Sequence, residues 1–141
     1  YTTLFRSIVF PDAAELVIAH LTDELPAYGY PDVHVGARIP TQRPETFVRV
    51  DAVGGARRNV VVDAATLAVE SWAPRADLAM TLAQTVRALV HAMAGTVVDG
   101  VTVYSVDEFA APASFPDPTS NQPRATQTLQ IQTRGTPPLS S

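Results

Sequence analysis

The chain has 141 residues, 46% of them hydrophobic, which suffices for one domain with its own core and falls short of two ordinary ones. It has no cysteine, so disulfides, thiolate metal sites and cysteine nucleophiles are excluded. Ten basic residues, all arginine, against fourteen acidic ones leave a net charge of -4, which argues against a general nucleic-acid binder. No uninterrupted apolar run approaches the roughly 18 residues of a membrane-spanning helix. The opening residues lack the basic, apolar and small-residue pattern of a secretory leader, so none is expected.

Residues 1–10 (YTTLFRSIVF) form an apolar lead-in, either a short strand or a packed arm. A helix is predicted over 12–25. Asp12 can accept the first backbone N–H groups while Glu15 reaches back, a capping box, and Ala14, Val17, Ile18, Leu21 and Leu25 make one apolar stripe ended by Pro26. The turn Tyr28-Gly29-Tyr30 follows, its rings either sealing the helix end or facing a partner. Val33, Val35, Ala37 and Ile39 alternate with His34, Gly36 and Arg38, a strand pattern. Pro40, Arg43 and Pro44 bracket the connection to the next strand.

Residues 46–95 organise the chain. Val48, Val50 and Ala52 alternate with Arg49 and Asp51, the mark of a strand with one wetter face. Gly54 and Gly55 are predicted to be a tight hairpin turn, since glycine tolerates positive φ, with Arg57 and Arg58 near the loop tip. The chain returns through Val60, Val61 and Val62 to Trp72, which suits a core edge or an interface anchor. A second helix is predicted over 74–94, with Leu78, Leu82, Val86, Leu89, Val90 and Met93 on one face and Ala76, Ala79 and Ala83 beside them for a close approach to the sheet. Pro74 suits its first turn, Asp77 its positive end and Gly95 its left-handed close.

A strand over 101–106 comes next. Residues 110–123, with four prolines and the run Phe115-Pro116-Asp117-Pro118, read as a long irregular loop of the kind that tends to be functional or disordered. The last strand, 124–134, begins at Arg124 and alternates Leu129 and Ile131 with Gln130 and Gln132. The expected fold is α/β (α+β), one mixed, largely antiparallel sheet with two amphipathic helices packed on one face, in the order α-β-β-β-α-β-β. Residues 1–135 form a single domain in this reading, and 136–141 a flexible tail.

Chemistry is sparsely encoded. His20, His34 and His91 stand alone, without the convergent ligand spacing that a metal needs. The sequence has no G-x-S-x-G, no phosphate-cradling G-x-x-x-x-G-K and no G-x-G-x-x-G. Asp51, Asp63, Glu70, Asp107 and Glu108 show no catalytic pairing in sequence, and solvated faces or salt bridges are the plainer reading. Arg57-Arg58 is the only adjacent basic pair, a weak phosphate site that suits an acidic groove on a neighbour better.

Several stretches, in order and spacing, resemble the tail terminator proteins of long, non-contractile-tailed bacteriophages of the lambda type, actinobacterial members among them. They are Arg38-Ile39-Pro40 with Arg43-Pro44, Phe47-Val48-Arg49-Val50 before Gly54-Gly55, the run from Leu67 to Trp72 before the Ala-rich helix, and Pro116-Asp117-Pro118 with Pro123-Arg124. The resemblance spans residues 10–135 and departs at the N-terminus. It implies a structural virion protein with no enzymatic activity and no cofactor. Such proteins form a hexameric ring at the neck end of the tail, cap the tail tube, stop its growth and meet the head-to-tail connector, while DNA passes through the lumen without sequence-specific binding. In this reading the candidate interface is Gly54, Gly55, Arg57, Arg58, Phe115, Pro116, Asp117, Pro118 and Arg124. Another neck or tail component, such as a head-completion or tube-like protein, is the alternative. A small α/β ligand-binding domain or enzyme comes after it.

Overall fold

Asp12 accepts a hydrogen bond from the Glu15 N–H at 3.1 Å, and from it the chain coils into α1 (Ala13–Glu24), which buries Ala14, Leu16, Val17 and Leu21. Pro26 has no N–H with which to extend the helical ladder, so the chain tightens into a 3-10 turn (Leu25–Tyr28) closed by Gly29 at φ 93. A computed structural model, describing residues 7–137, continues with β1 (His34–Gly36), β2 (Phe47–Arg57), β3 (Val62–Trp72), α2 (Ala76–His91), β4 (Thr96–Val98), β5 (Val101–Ser114) and β6 (Arg124–Arg134). The architecture is mixed α and β. One six-stranded sheet runs in the order β1-β2-β3-β6-β5-β4; β1 lies parallel to β2 and every other pairing is antiparallel.

Register explains which residues meet. Cross-strand partners project to the same side of a sheet, so Val50 opposite Val69 and Leu67 opposite Leu129 share a face. With Ile131 and Val103 they are buried against Leu16, Val17 and Leu21 of α1 and Leu82, Val86 and Val90 of α2 in one apolar cluster. Ala79 and Ala83 of α2 pack on Ala73 and Ala125, the close approach that small side chains permit. The opposite face carries Phe47, Arg49, Glu70, Trp72 and Arg124, offset by one residue along the same strands.

Several expectations are corrected. Gly54 and Gly55 form no turn: they lie inside β2, just past a bulge between Ala52 and Gly54, at φ 136 and 119. The hairpin turns at residues 58–61 instead, where the Asn59 side-chain oxygen accepts the Val61 and Val62 N–H groups, each at 2.9 Å. An Asn side chain closing its own turn does what two glycines were expected to do. The first five residues of the expected loop over 110–123 are strand, because β5 runs to Ser114 with three bulges. Pro112 is tolerated there because β4 pairs only with residues 101–103, which leaves the rest of β5 an edge where a missing N–H costs nothing.

The order gains an eighth element, β4, joined to β5 by Asp99 and Gly100, both at positive φ, which makes it α-β-β-β-α-β-β-β. The strand expected over 33–39 shortens to β1, and Ile39 is exposed. Pro74 lies before α2, whose N-cap is Arg75, and Leu78 is 42% exposed rather than buried. Thr136, assigned to the flexible tail, pairs with Val9. The beginning of the apolar lead-in, 1–6, and the tail residues 138–141 lie outside the described residues.

Candidate interface at the two ends of the sheet

Three strand ends place aromatic rings and arginines in one row. Phe47 of β2 is opposite Trp72 of β3, and Trp72 is opposite Arg124 of β6. The Phe47 and Trp72 rings stack with centroids 4.5 Å apart and planes 11° from parallel, and both are fully buried. Arg43, from the Pro-bracketed connection, lies over them at 5.7 and 5.8 Å. Arg124 lies over Trp72 and over Phe115, at 5.5 Å from each ring. A guanidinium over an aromatic face is attracted by the ring quadrupole, more so when partly desolvated.

The same arginines hold the loop of residues 115–123. Arg43 donates to the Asp117 carboxylate at 2.8 Å, and Arg124 donates through Nε to the Phe115 carbonyl at 2.9 Å. Asp117 also accepts from the Ser120 hydroxyl at 2.7 Å and from the Thr119 N–H at 3.2 Å, while Gln122 donates to the Glu45 carbonyl at 2.9 Å. These bonds favour the ionised carboxylate, the Ser120 hydroxyl first and the Thr119 N–H and Arg43 after it, and hold the Asp117 pKa below its ordinary value of 3.8. One row further in, Glu70 bridges Arg49 at 3.3 Å and Arg124 at 3.6 Å. The loop is therefore tied to β6 and to the connection before β2, and Phe115 rides on it 56% exposed.

Asp117 makes a pH prediction. Its pKa is depressed by folding, so its ion pair and hydrogen bonds stabilise the protein fully above the unfolded value, near 4, and that stability is lost as pH falls through the folded value. Asp117→Asn is expected to cost about 2 kcal/mol at pH 7, and the difference from the parent should shrink as pH drops below 4. Urea melts at a series of pH values check this; a constant difference down to pH 2 would contradict it.

The second end is the β2–β3 hairpin, ten residues along β2 from Phe47 and so about 33 Å away at about 3.3 Å per residue. Arg57 donates to the Val60 carbonyl at 2.9 Å and lies over the Phe10 ring at 5.1 Å. Arg58 donates to the Gln130 side chain at 2.7 Å. Both arginines brace the hairpin instead of projecting from it, so they do not form the basic tip the sequence suggested. Of the nine residues singled out in sequence, Phe115, Asp117 and Arg124 come together with Pro116 and Pro118 on the loop end, and Gly54, Gly55, Arg57 and Arg58 at the hairpin end.

Sequence reasoning missed Arg43 as a partner of that loop, Phe47 as the stacking partner of Trp72, and Glu70 as the carboxylate between Arg49 and Arg124. It also missed an apolar groove of about 520 Å³ between Tyr28 and α2, lined by Met80, Thr81, Thr85, Ala88 and Ala92. The Thr81 and Thr85 hydroxyls donate to the carbonyls of Asp77 and Thr81, one turn back, which spends their polarity within the helix. His20 contacts the Leu89 carbonyl at 3.0 Å and His91 lies 3.6 Å from Glu108. Arg87 holds Glu108 at 2.6 and 2.7 Å and, as its principal cause, keeps that carboxyl below the usual range. Among the described residues no group of three or more His, Asp or Glu side chains is placed to hold a metal ion, and no helix is long and apolar enough to cross a membrane.

The site so defined is a pair of braced, oppositely placed surfaces on a mixed α and β domain. No protein-family model matches the chain, and no curated protein matches it in sequence.

Proposed function

We propose that this chain is a structural subunit of a phage tail, a tail terminator that assembles into a hexameric ring, caps the tail tube, stops its growth and meets the head-to-tail connector at the neck end of the virion. The fold in this reading is one sheet with both helices on one face, leaving the other face and the strand ends for contacts. The observation that carries the reading is the presentation of Phe115. Its ring is exposed, while the loop beneath is fixed by Arg43, Asp117 and Arg124. A large aromatic held in place before binding loses little entropy on docking and suits an anchor at a protein interface. The hairpin end, about 33 Å away along β2, gives the subunit a second surface, as a protein placed between tube and connector requires. Its work is contact rather than catalysis, and DNA passes through the ring without sequence-specific binding.

The test is tube growth. Adding the purified chain to polymerising tail tubes should halt elongation and leave a density on one end of each tube. Phe115→Ala should change stability by less than about 1 kcal/mol, as exposed substitutions usually do, yet weaken capping by roughly 30-fold, the cost of one interface anchor. Tubes that lengthen unchecked in the presence of the folded parent protein would sink the proposal.

A further inference from the structure

Charge is spread unevenly along the chain. Between Ser7 and Ala37 there are five acidic residues, Asp12, Glu15, Asp23, Glu24 and Asp32, and no arginine, so all of α1 lies in an acidic stretch. Its last turn carries Asp23 and Glu24 and no basic residue, an arrangement that the negative end of a helix dipole disfavours. Among the described residues no ion pair involves a carboxylate of α1. The nearest arginines in the helical layer, Arg75 and Arg87, are held by Asp77 and Glu108 instead.

These carboxylates border the apolar groove between Tyr28 and α2. His20 contacts the Leu89 carbonyl at 3.0 Å, and both Leu89 and Tyr28 line the groove. Glu24 lies midway between His20 and Tyr28, four residues from each, so it follows the same side of α1 along the groove, with Asp23 next to it. The floor is α2 itself. Met80, Gln84, Ala88 and Ala92 form one row at four-residue spacing, and Thr81, Thr85 and Leu89 form the next. The channel between two such rows is where a ridge of another helix seats. Ala88 and Ala92 let its backbone come close, and Met80 adapts to an uneven surface. From Met80 to Ala92 the channel is about 18 Å long at about 1.5 Å per residue, room for about three helical turns.

We propose that the groove on α2 receives an amphipathic helix of another protein, its inner face apolar and its flank carrying lysine or arginine opposite Asp23 and Glu24. Charge complementarity argues for this occupant: cations at that flank would offset both the two carboxylates and the unfavourable helix end they occupy. Neither helix of a second copy fits, since α1 is acidic and the arginines of α2 and its N-cap are already engaged. The inference stands apart from the ring reading and asks nothing of Phe115 or the hairpin.

A defined peptide tests it, about 14 residues of leucine at helical spacing with lysine between. Titrated into the isotope-labelled full chain, it should bind saturably and shift the amides of Tyr28 and of residues 80–92. Asp23→Asn with Glu24→Gln should raise its Kd roughly 10-fold at low salt, and by less as salt screens the pairs. Ala88→Arg puts bulk and like charge into the channel at an exposed helical position; it should raise the Kd roughly 30-fold and leave the circular dichroism spectrum that of the parent. Equal binding of a peptide with glutamate in place of lysine, or of the same composition in strand-like alternation, would overturn the basic helix as occupant. Shifts spread over other acidic surfaces, or no binding, would overturn it as well. Parent chains that associate through α2 without peptide, and separate in the Ala88→Arg variant, would give the groove to a second copy and overturn the partner proposed here.

Discussion

Trp72→Ala should cost about 4 kcal/mol of folding stability, the upper part of the range for removing a large buried aromatic. Trp72 is fully buried and stacked on Phe47, and Arg43 and Arg124 both rest on its ring. Its loss would open a cavity between strand ends and take one of two rings from each of the guanidiniums, leaving Arg43 with Phe47 and Arg124 with Phe115. The loop of residues 115–123, held by those arginines, should loosen as well, so that amides near Asp117 exchange faster than in the parent. Trp72→Phe keeps a ring in the stack and should lose less than half as much. Chemical denaturation with hydrogen exchange checks both; an alanine variant within 1 kcal/mol of the parent would mean that the row is not part of the core.

The adjacent glycines make a sharper pair. Both lie at positive φ, where a side chain is strained by about 1–3 kcal/mol. A Cβ on Gly54 would meet open space, but one on Gly55 would collide with the Ala64 carbonyl oxygen and the backbone of Ala65. Backbone within a paired strand cannot move aside cheaply, so the collision adds to the strain. Gly54→Ala should therefore cost about 1–2 kcal/mol, and Gly55→Ala upwards of about 3 kcal/mol. Equal melting temperatures for the two variants would contradict this register of β2 on β3.

That contrast also shows where the sequence misled. A Gly-Gly pair between two apolar runs is a fair hairpin signal, but here both glycines answer the need for positive φ just past a bulge, Gly55 also that for close backbone approach, and Asn59 makes the turn. The error ended β2 too early and hid the pairing of Phe47 with Trp72, from which the stacked row follows. α1, α2 and β6 were readable because each carries a long periodic pattern and, in the helices, end signals that agree with it. Leu78 obeyed the helical period yet is exposed, since it sits in the first turn, beside a groove of about 310 Å³ at Tyr30, Pro31 and Val33 rather than over the sheet. The strand β4 had a readable sign that went unused, the Asp99-Gly100 pair between Val98 and Val101, a two-residue turn with both residues at positive φ. The far half of β5 had none. Ala110, Ala111, Pro112 and Ala113 look like a loop, and only their place at an unpaired edge allows them to be strand.

At the candidate interface the sequence offered residue types without their partners. Phe115, Asp117 and Arg124 were recognisable as a Pro-rich loop and the strand after it. Arg43 is 74 residues from Asp117, and no local pattern announces an ion pair over that separation. Arg57 and Arg58 suggested a free basic tip, whereas Val60, Phe10 and Gln130 occupy them.

The mass of the chain in solution tests the proposed ring-forming cap most directly. Light scattering across concentration, with and without assembled tail tubes, followed by imaging of the particles, should give rings near six times 15.1 kDa or monomers that become caps on tube ends. A protein that stays at 15.1 kDa at every concentration and leaves tube ends bare would contradict it.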